Sequence, residues 1–184
     1  HYNEVNYKEG KALNKTRLQK NVSLPVDGDV FLIGMVSRMT DQKGFDLIAY
    51  IMDELLSTER VQFVVAGTGE ARYQDMLSYF AGKYPDKMKV HIGYSEELAH
   101  QIYASCDAFL MPSLFEPCGL SQLMSLRYGT VPIVRETGGL KDTVIPYNEY
   151  TKEGTGFSFA NYNAHEMLNT VRYAERIYYD KKRD

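Results

Sequence analysis

The run VFLIGMV at residues 30–36 constrains this chain more than any other stretch. It carries no charge and is bounded by PVDGD on one side and SRMTDQKG on the other. A nearly unbroken apolar run of this length reads as a strand buried on both faces, which belongs inside a parallel sheet. The pattern repeats. VQFVVAG (61–67), MKVHIGY (88–94), AFLM (108–111), VPIV (131–134) and GTGFSF (154–159) read as further strands. Between them lie stretches of helical period, with Leu47, Ile48, Ile51, Met52, Leu55 and Leu56 on one face of the first, and Leu98, Ile102 and Tyr103 inward on another. Met167, Leu168, Val171 and Ile177 stripe a closing helix. Strand alternating with helix predicts a doubly wound α/β fold, with right-handed crossovers covering a parallel sheet. The expected Rossmann-like strand order is 3-2-1-4-5-6, with strands one and four adjacent at the crevice where such sheets bind ligands.

Residues 1–29 contrast with this core. They are polar and basic, with Leu13, Leu18 and Val22 as anchors, and read as a lead-in containing a short helix at Lys11–Lys20. The predicted domain is 30–184. The first residue is His1 and not Met, which suggests a processed protein or a piece of a longer one. A net charge of −3 gives no general pull toward nucleic acid or an acidic membrane, so any anion site must be local. No apolar run approaches membrane-spanning length. Two cysteines, Cys106 and Cys118, without framework spacing point to a reducing, cytoplasmic compartment. The four histidines show no metal-binding spacing, and neither a metal nor a cofactor is expected.

The chemistry-bearing residues fall in the loops after the strands. After strand one, Arg38 and Lys43 could clamp a diphosphate, a guanidinium fork and a point charge delivered to the same edge, or could be solvated surface residues. After strand four, AFLMPSLFEPCGLSQLMSLRYG turns sharply at Pro117 into a helix opening at Gly119 or Leu120. Unpartnered amides at such a helix start hold phosphate, and Glu116 just before it could grip hydroxyls. Phosphate beside a polyol suggests a sugar nucleotide; an ordinary strand–loop–helix turn with a capping acid is the alternative. Tyr94 ends strand three and could stack on a nucleobase, or simply pack. Cys118 at the helix start lines the pocket or is buried, since no histidine is placed beside it as a base. Thr137 and Gly138, followed by Gly139, could turn amides toward an anion or satisfy a loop needing positive φ. GTGE at 67–70 is an incomplete dinucleotide fingerprint after the wrong strand, read as a tight turn; this disfavours a nicotinamide-dependent oxidoreductase.

SRMTDQKGFDL, HIGYSEELAHQIYASCDAFLMPSLFEPCGLSQLMSLRYGTVPIVRETGGLKDTV and the closing GTGFSF resemble bacterial glycogen synthases and plant starch synthases, most strongly over residues 40–160. The resemblance implies the C-terminal half of a two-Rossmann (GT-B) retaining glycosyltransferase. Its implied reaction moves glucose from ADP-glucose, or UDP-glucose in some members, to the non-reducing end of an α-1,4-glucan. It places Arg38 and Lys43 on the donor diphosphate, Glu116 and Cys118 near the donor glucose, and the amides of Gly119 and Leu120 on phosphate. Ser121 would add a phosphate contact and Tyr94 would cover the base. Catalytic roles fall to Arg38, Lys43 and Glu116, because charge builds on the leaving phosphate as the glycosidic bond breaks.

Two departures stand out. The second glutamate of many retaining relatives is Met124 here, so ribose contacts must come from elsewhere. The N-terminal acceptor domain, which would carry the glucan, has no counterpart in these residues; the isolated chain is expected to be inactive but to bind nucleotide. The alternative is a non-catalytic nucleotide-binding or regulatory module of the same fold. Tyr173, Tyr178 and Tyr179 are expected to cover surface that the absent domain would shield, favouring dimers in solution.

Overall fold

Apolar strands without a wet face sort to the middle of the sheet, and the strand order follows from that. The computed structural model describes residues 7–114, 129–137 and 144–183. Six strands, β1 (Phe31–Val36), β2 (Val61–Gly67), β3 (Met88–Ile92), β4 (Ala108–Met111), β5 (Val131–Arg135) and β6 (Phe157–Phe159), form one sheet in the order β3-β2-β1-β4-β5-β6. Every pairing is parallel, and β1 meets β4 at Ile33–Ala108 and Gly34–Phe109. Strand order, direction and the β1–β4 junction are those read from the sequence.

Alternation along the buried strands divides the core in two. Phe31, Ile33 and Met35 of β1, with Phe63 and Val65 of β2, pack under α2 (Phe45–Thr58), α3 (Ala71–Lys83) and α5 (Ala164–Arg183). Leu32, Val64, Ala66, Phe109 and Met111 face the other way, toward α1 (Tyr7–Asn21) and α4 (Glu96–Ser105). The apolar stripe of α2 is buried along its length, from Leu47 to Leu56. Ser95 starts α4 by accepting a hydrogen bond from the Leu98 amide at 3.1 Å, and Glu96 and Glu97 suit the positive end of the helix dipole. β6 begins later than expected because Gly154–Gly156 belong to a turn, with Tyr147 N bonded to Gly156 O at 2.7 Å and Asn148 N to Glu153 O at 2.8 Å.

The lead-in departs most from expectation. Its helix runs from Tyr7 to Asn21, longer than Lys11–Lys20, and docks on α4 with Leu18 buried. The reason lies in a lysine that reads as surface charge. Lys15 is buried, and its ammonium donates to the carbonyls of Val30 (2.6 Å) and Gly28 (3.0 Å) and to the Asp107 carboxylate (2.8 Å), with the Tyr178 hydroxyl at 3.0 Å. Asp107 also accepts from the Leu32 amide at 2.9 Å, so one ion pair ties α1, β1, β4 and α5 together. The closing tyrosines are occupied inside the chain. Tyr178 packs on Phe31 with ring centroids 5.1 Å apart, Tyr173 meets Phe157 edge-on at 5.4 Å, and the Tyr179 hydroxyl accepts from Phe31 N at 3.0 Å. All three stay half-exposed while making these internal contacts.

Two predictions follow from this packing. Breaking a buried ion pair strands its partner, so Lys15→Ala is expected to cost roughly 3–5 kcal/mol in urea unfolding, against about 0–1 kcal/mol for Arg60→Ala, whose 2.9 Å pair with Asp27 is exposed. Equal losses would contradict this account. The second concerns Glu175 of α5, 8% exposed, whose carboxyl contacts that of Glu59. Burial, with the Glu59 carboxyl beside it, holds Glu175 well above the usual carboxylate range. The folded chain thus binds a proton that the unfolded chain gives up at ordinary acid pH. That stabilisation is complete below about pH 4.5 and is lost as pH rises through the folded value. Glu175→Gln should raise the melting midpoint at pH 8.5 and change it little at pH 4.5; no difference between the two pH values would remove the argument.

Candidate functional site

The carboxyl ends of β1, β2, β3 and β4 bring four loops to one edge of the sheet. The loop after β1 carries the two cations expected there. Arg38 is exposed and makes no ion pair with a described residue, while Lys43 is half-buried and ends a one-turn 3-10 helix, Asp41–Lys43. Gly44 then releases the chain into α2 with φ +85°, a left-handed conformation that favours glycine.

That glycine also does something the sequence does not reveal. A Cβ on Gly44 would lie 2.3 Å from the Pro112 carbonyl oxygen, so the turn carrying Lys43 is pressed directly against the loop after β4. A second contact confirms the approach: the Leu114 amide donates to the Gln42 carbonyl at 2.8 Å. Leu114 lies two residues before Glu116. The cationic turn and the entrance to the Glu116 loop are therefore hydrogen-bonded neighbours.

Of the other expected site residues, Tyr94 follows β3 at the same edge and is 88% exposed, so it is not a packing residue. Thr137 is half-buried just beyond β5. Glu116, Cys118, Gly119, Leu120, Ser121 and Gly138, together with Met124, lie outside the described residues. GTGE is a tight turn, as its incomplete fingerprint suggests. A Cβ on Gly67 would fall 1.8 Å from the Ser37 carbonyl oxygen, and the Met39 amide donates to Thr68 O at 2.8 Å, so this turn buttresses the loop after β1.

Sequence reasoning missed the residues that hold the cationic turn in place. Arg72 of α3 donates to the Asp41 carboxylate at 2.8 Å, and the Tyr73 hydroxyl donates to its other oxygen. The Tyr73 hydrogen bond, reinforced by Arg72, keeps the Asp41 carboxyl below its usual range. From the far end of the chain, the Tyr162 hydroxyl lies 2.8 Å from the Asp41 carbonyl oxygen and hydrogen-bonds the Asp46 carboxylate. Arg135, at the end of β5, donates to Leu114 O at 2.7 Å and sets its guanidinium 5.6 Å from the centre of the Tyr162 ring. A linear reading gives no signal for these partners, since Arg72 stands 31 residues from Asp41 and Tyr162 stands 121.

A cavity of about 220 Å³ lies at the opposite edge, lined by Phe31, Ala108, Val131, Tyr147 and Lys181 among others. It sits at the amino ends of the strands, the wrong side for the loops that carry Arg38 and Lys43. Among the described residues no group of three or more histidine, cysteine, aspartate or glutamate side chains could hold a metal ion, and no helix is long and apolar enough to cross a membrane.

The sequence model for "Glycosyl transferases group 1" matches residues 16–184. Glycogen synthase of Lachnospira eligens is 65% identical over 183 residues, spanning 100% of this chain and 38% of that protein. Glycogen synthase of Clostridium acetobutylicum is 55% identical over 172 residues, 94% of this chain and 36% of its own. Among solved structures, the catalytic domain of starch synthase IV from Arabidopsis thaliana, bound to ADP and acarbose, superposes with a TM-score of 0.83 at 32% identity over 92% of this chain and 36% of that one. The C-terminal domain of a glycosyl transferase group 1 family protein from Francisella tularensis shares the fold, with a TM-score of 0.64 at 15% identity over 90% of this chain and 85% of its own. The sheet is thus one Rossmann-like half of the GT-B architecture. This chain spans 38% of the length of the first of its curated relatives. With the match running from residue 16 to residue 184, the chain belongs to the glycosyl transferases group 1 family.

Proposed function

We propose that this chain is the donor-binding half of a glycogen or starch synthase, which transfers glucose from ADP-glucose to the non-reducing end of an α-1,4-glucan with retention of configuration. In this reading residues 30–184 bind the nucleotide sugar, residues 1–29 lead in from an acceptor-binding domain, and the half alone binds nucleotide without turning over. A reducing, cytoplasmic setting suits its free, buried Cys106.

One observation carries the reading. The Lys43 turn and the start of the Glu116 loop are joined by the Gln42–Leu114 hydrogen bond and by the contact of Gly44 with Pro112. Charge from β1 and the loop from β4 therefore meet at one crevice, as a shared pyrophosphate pocket requires. The ADP bound to the Arabidopsis relative supports adenine nucleotide as the ligand class.

The chemistry assigned to the pocket is electrostatic. A nucleoside diphosphate is already a stable anion, so its departure needs no carboxylic acid of the kind that glycosidases use. Negative charge grows on the outer phosphate as the bond to glucose breaks. Cations on that phosphate stabilise the transition state more than the ground state, which is what lowers a barrier. Arg38 and Lys43 fill this role, with the amides at Gly119 and Leu120. Glu116 orients the sugar hydroxyls, Cys118 lines the glucose pocket and Ser121 adds a phosphate contact. Tyr94 covers the base, and Thr137 and Gly138 offer backbone amides to the anion.

Calorimetric titration with ADP tests this directly. The chain should bind ADP, and Lys43→Ala or Arg38→Ala should each weaken it by roughly 10- to 100-fold, the range for losing a hydrogen bond to a charged group. Absence of binding at millimolar ADP by a chain with native circular dichroism would sink the assignment.

A further inference from the structure

The two loops that meet at the crevice come from different strands, and their spacing is not set by the sheet alone. Loop backbones without such supports sample many geometries, whereas a phosphate pocket must be held to within a fraction of an ångström. The described residues contain one hub that touches both loops. The Tyr162 hydroxyl, just before α5, lies 2.8 Å from the carbonyl oxygen of Asp41, the first residue of the Lys43 turn. It also bonds the carboxylate of Asp46 in the first turn of α2. The ring of the same tyrosine carries the Arg135 guanidinium at 5.6 Å. Arg135 in turn donates to Leu114 O at 2.7 Å and lies 3.4 Å from Ser113 O, both in the loop after β4. Arg72 and Tyr73 hold the Asp41 side chain from the opposite side.

The bonds are of a kind that persists. Burial and the neighbouring Asp46 raise the Tyr162 hydroxyl above its ordinary value, so it keeps its proton throughout the physiological range.

We propose that Tyr162 and Arg135 are positioning residues for the donor's pyrophosphate, fixing the Lys43 turn and the loop after β4 at the separation where both reach one anion. Neither touches the nucleotide in this scheme; both act through backbone carbonyls of the loops that do. The inference rests on the donor-site reading and adds to it a dependence on a segment remote in sequence.

The experiment compares ADP with AMP, which shares the adenosine but has one phosphate fewer. Tyr162→Phe keeps the ring under Arg135 and removes only the hydroxyl. It is expected to weaken ADP binding about 3- to 10-fold, the range for one neutral hydrogen bond, while AMP affinity stays within twofold of the parent. Arg135→Lys, which keeps the charge but loses the fork, should show the same ADP-selective loss and serves if Tyr162→Phe does not fold. Tyr150→Phe, at an exposed turn remote from the crevice, is the control. A variant that binds ADP as tightly as the parent, or loses ADP and AMP in equal proportion, overturns the proposal. Lys43→Ala in parallel separates the two levels: if it leaves ADP binding unchanged the donor-site reading itself fails, whereas an effect of Lys43→Ala without one of Tyr162→Phe refutes the positioning role alone.

Discussion

The structure depends on a central strand that must be dry on both sides. β1 is buried from Phe31 to Met35, so a helical layer has to cover each face and a strand has to flank each edge. β2 and β4 take those edges, and because both are parallel to β1 their following loops emerge at the same end. The crevice is thus a consequence of where apolar residues can be placed. Binding groups need only be carried by the loops that topology has already gathered.

In the proposed reading, this placement lets an acidic chain build an anion site. The net charge of −3 opposes any broad attraction, so positive potential must be made locally and held against water. The turn after β1 does so by keeping its own carboxylate occupied. Asp41 is satisfied by Arg72 and Tyr73 on the α3 side, pointed at partners that need it and not at Lys43 two residues on. Arg38, by contrast, is left exposed toward the edge. Such an arrangement separates the paired charges that support the backbone from the exposed charge that the proposed function assigns to a ligand.

How much of this was legible in the sequence depends on the range of the interaction. Strand and helix positions, strand order and the edge that carries Arg38, Lys43 and Tyr94 were readable because periodicity and topology are local or combinatorial. The contact of Gly44 with Pro112 was not, since a glycine before a helix is equally compatible with an ordinary cap. Lys15 was misleading for a physical reason: a lysine is read as solvated unless its partners are known, and its partners Val30, Asp107 and Tyr178 are scattered along the chain. Tyr162 was invisible for the same reason, and with 15 tyrosines in the sequence nothing distinguishes it by type. Side chains that act by bracing others leave no spacing to recognise.

The closing helix α5 runs from the Tyr162 corner to Tyr178 and Tyr179 beneath β1, crossing the sheet from one margin to the other. A twenty-residue helix is about 30 Å long, which lets one element reach both margins. Its lower end is seated by the buried ammonium of α1, through the Tyr178 hydroxyl. In the proposed reading, the steadiness of the margin that faces the nucleotide is therefore set partly at the opposite margin, by a foundation of one lysine and one phenol.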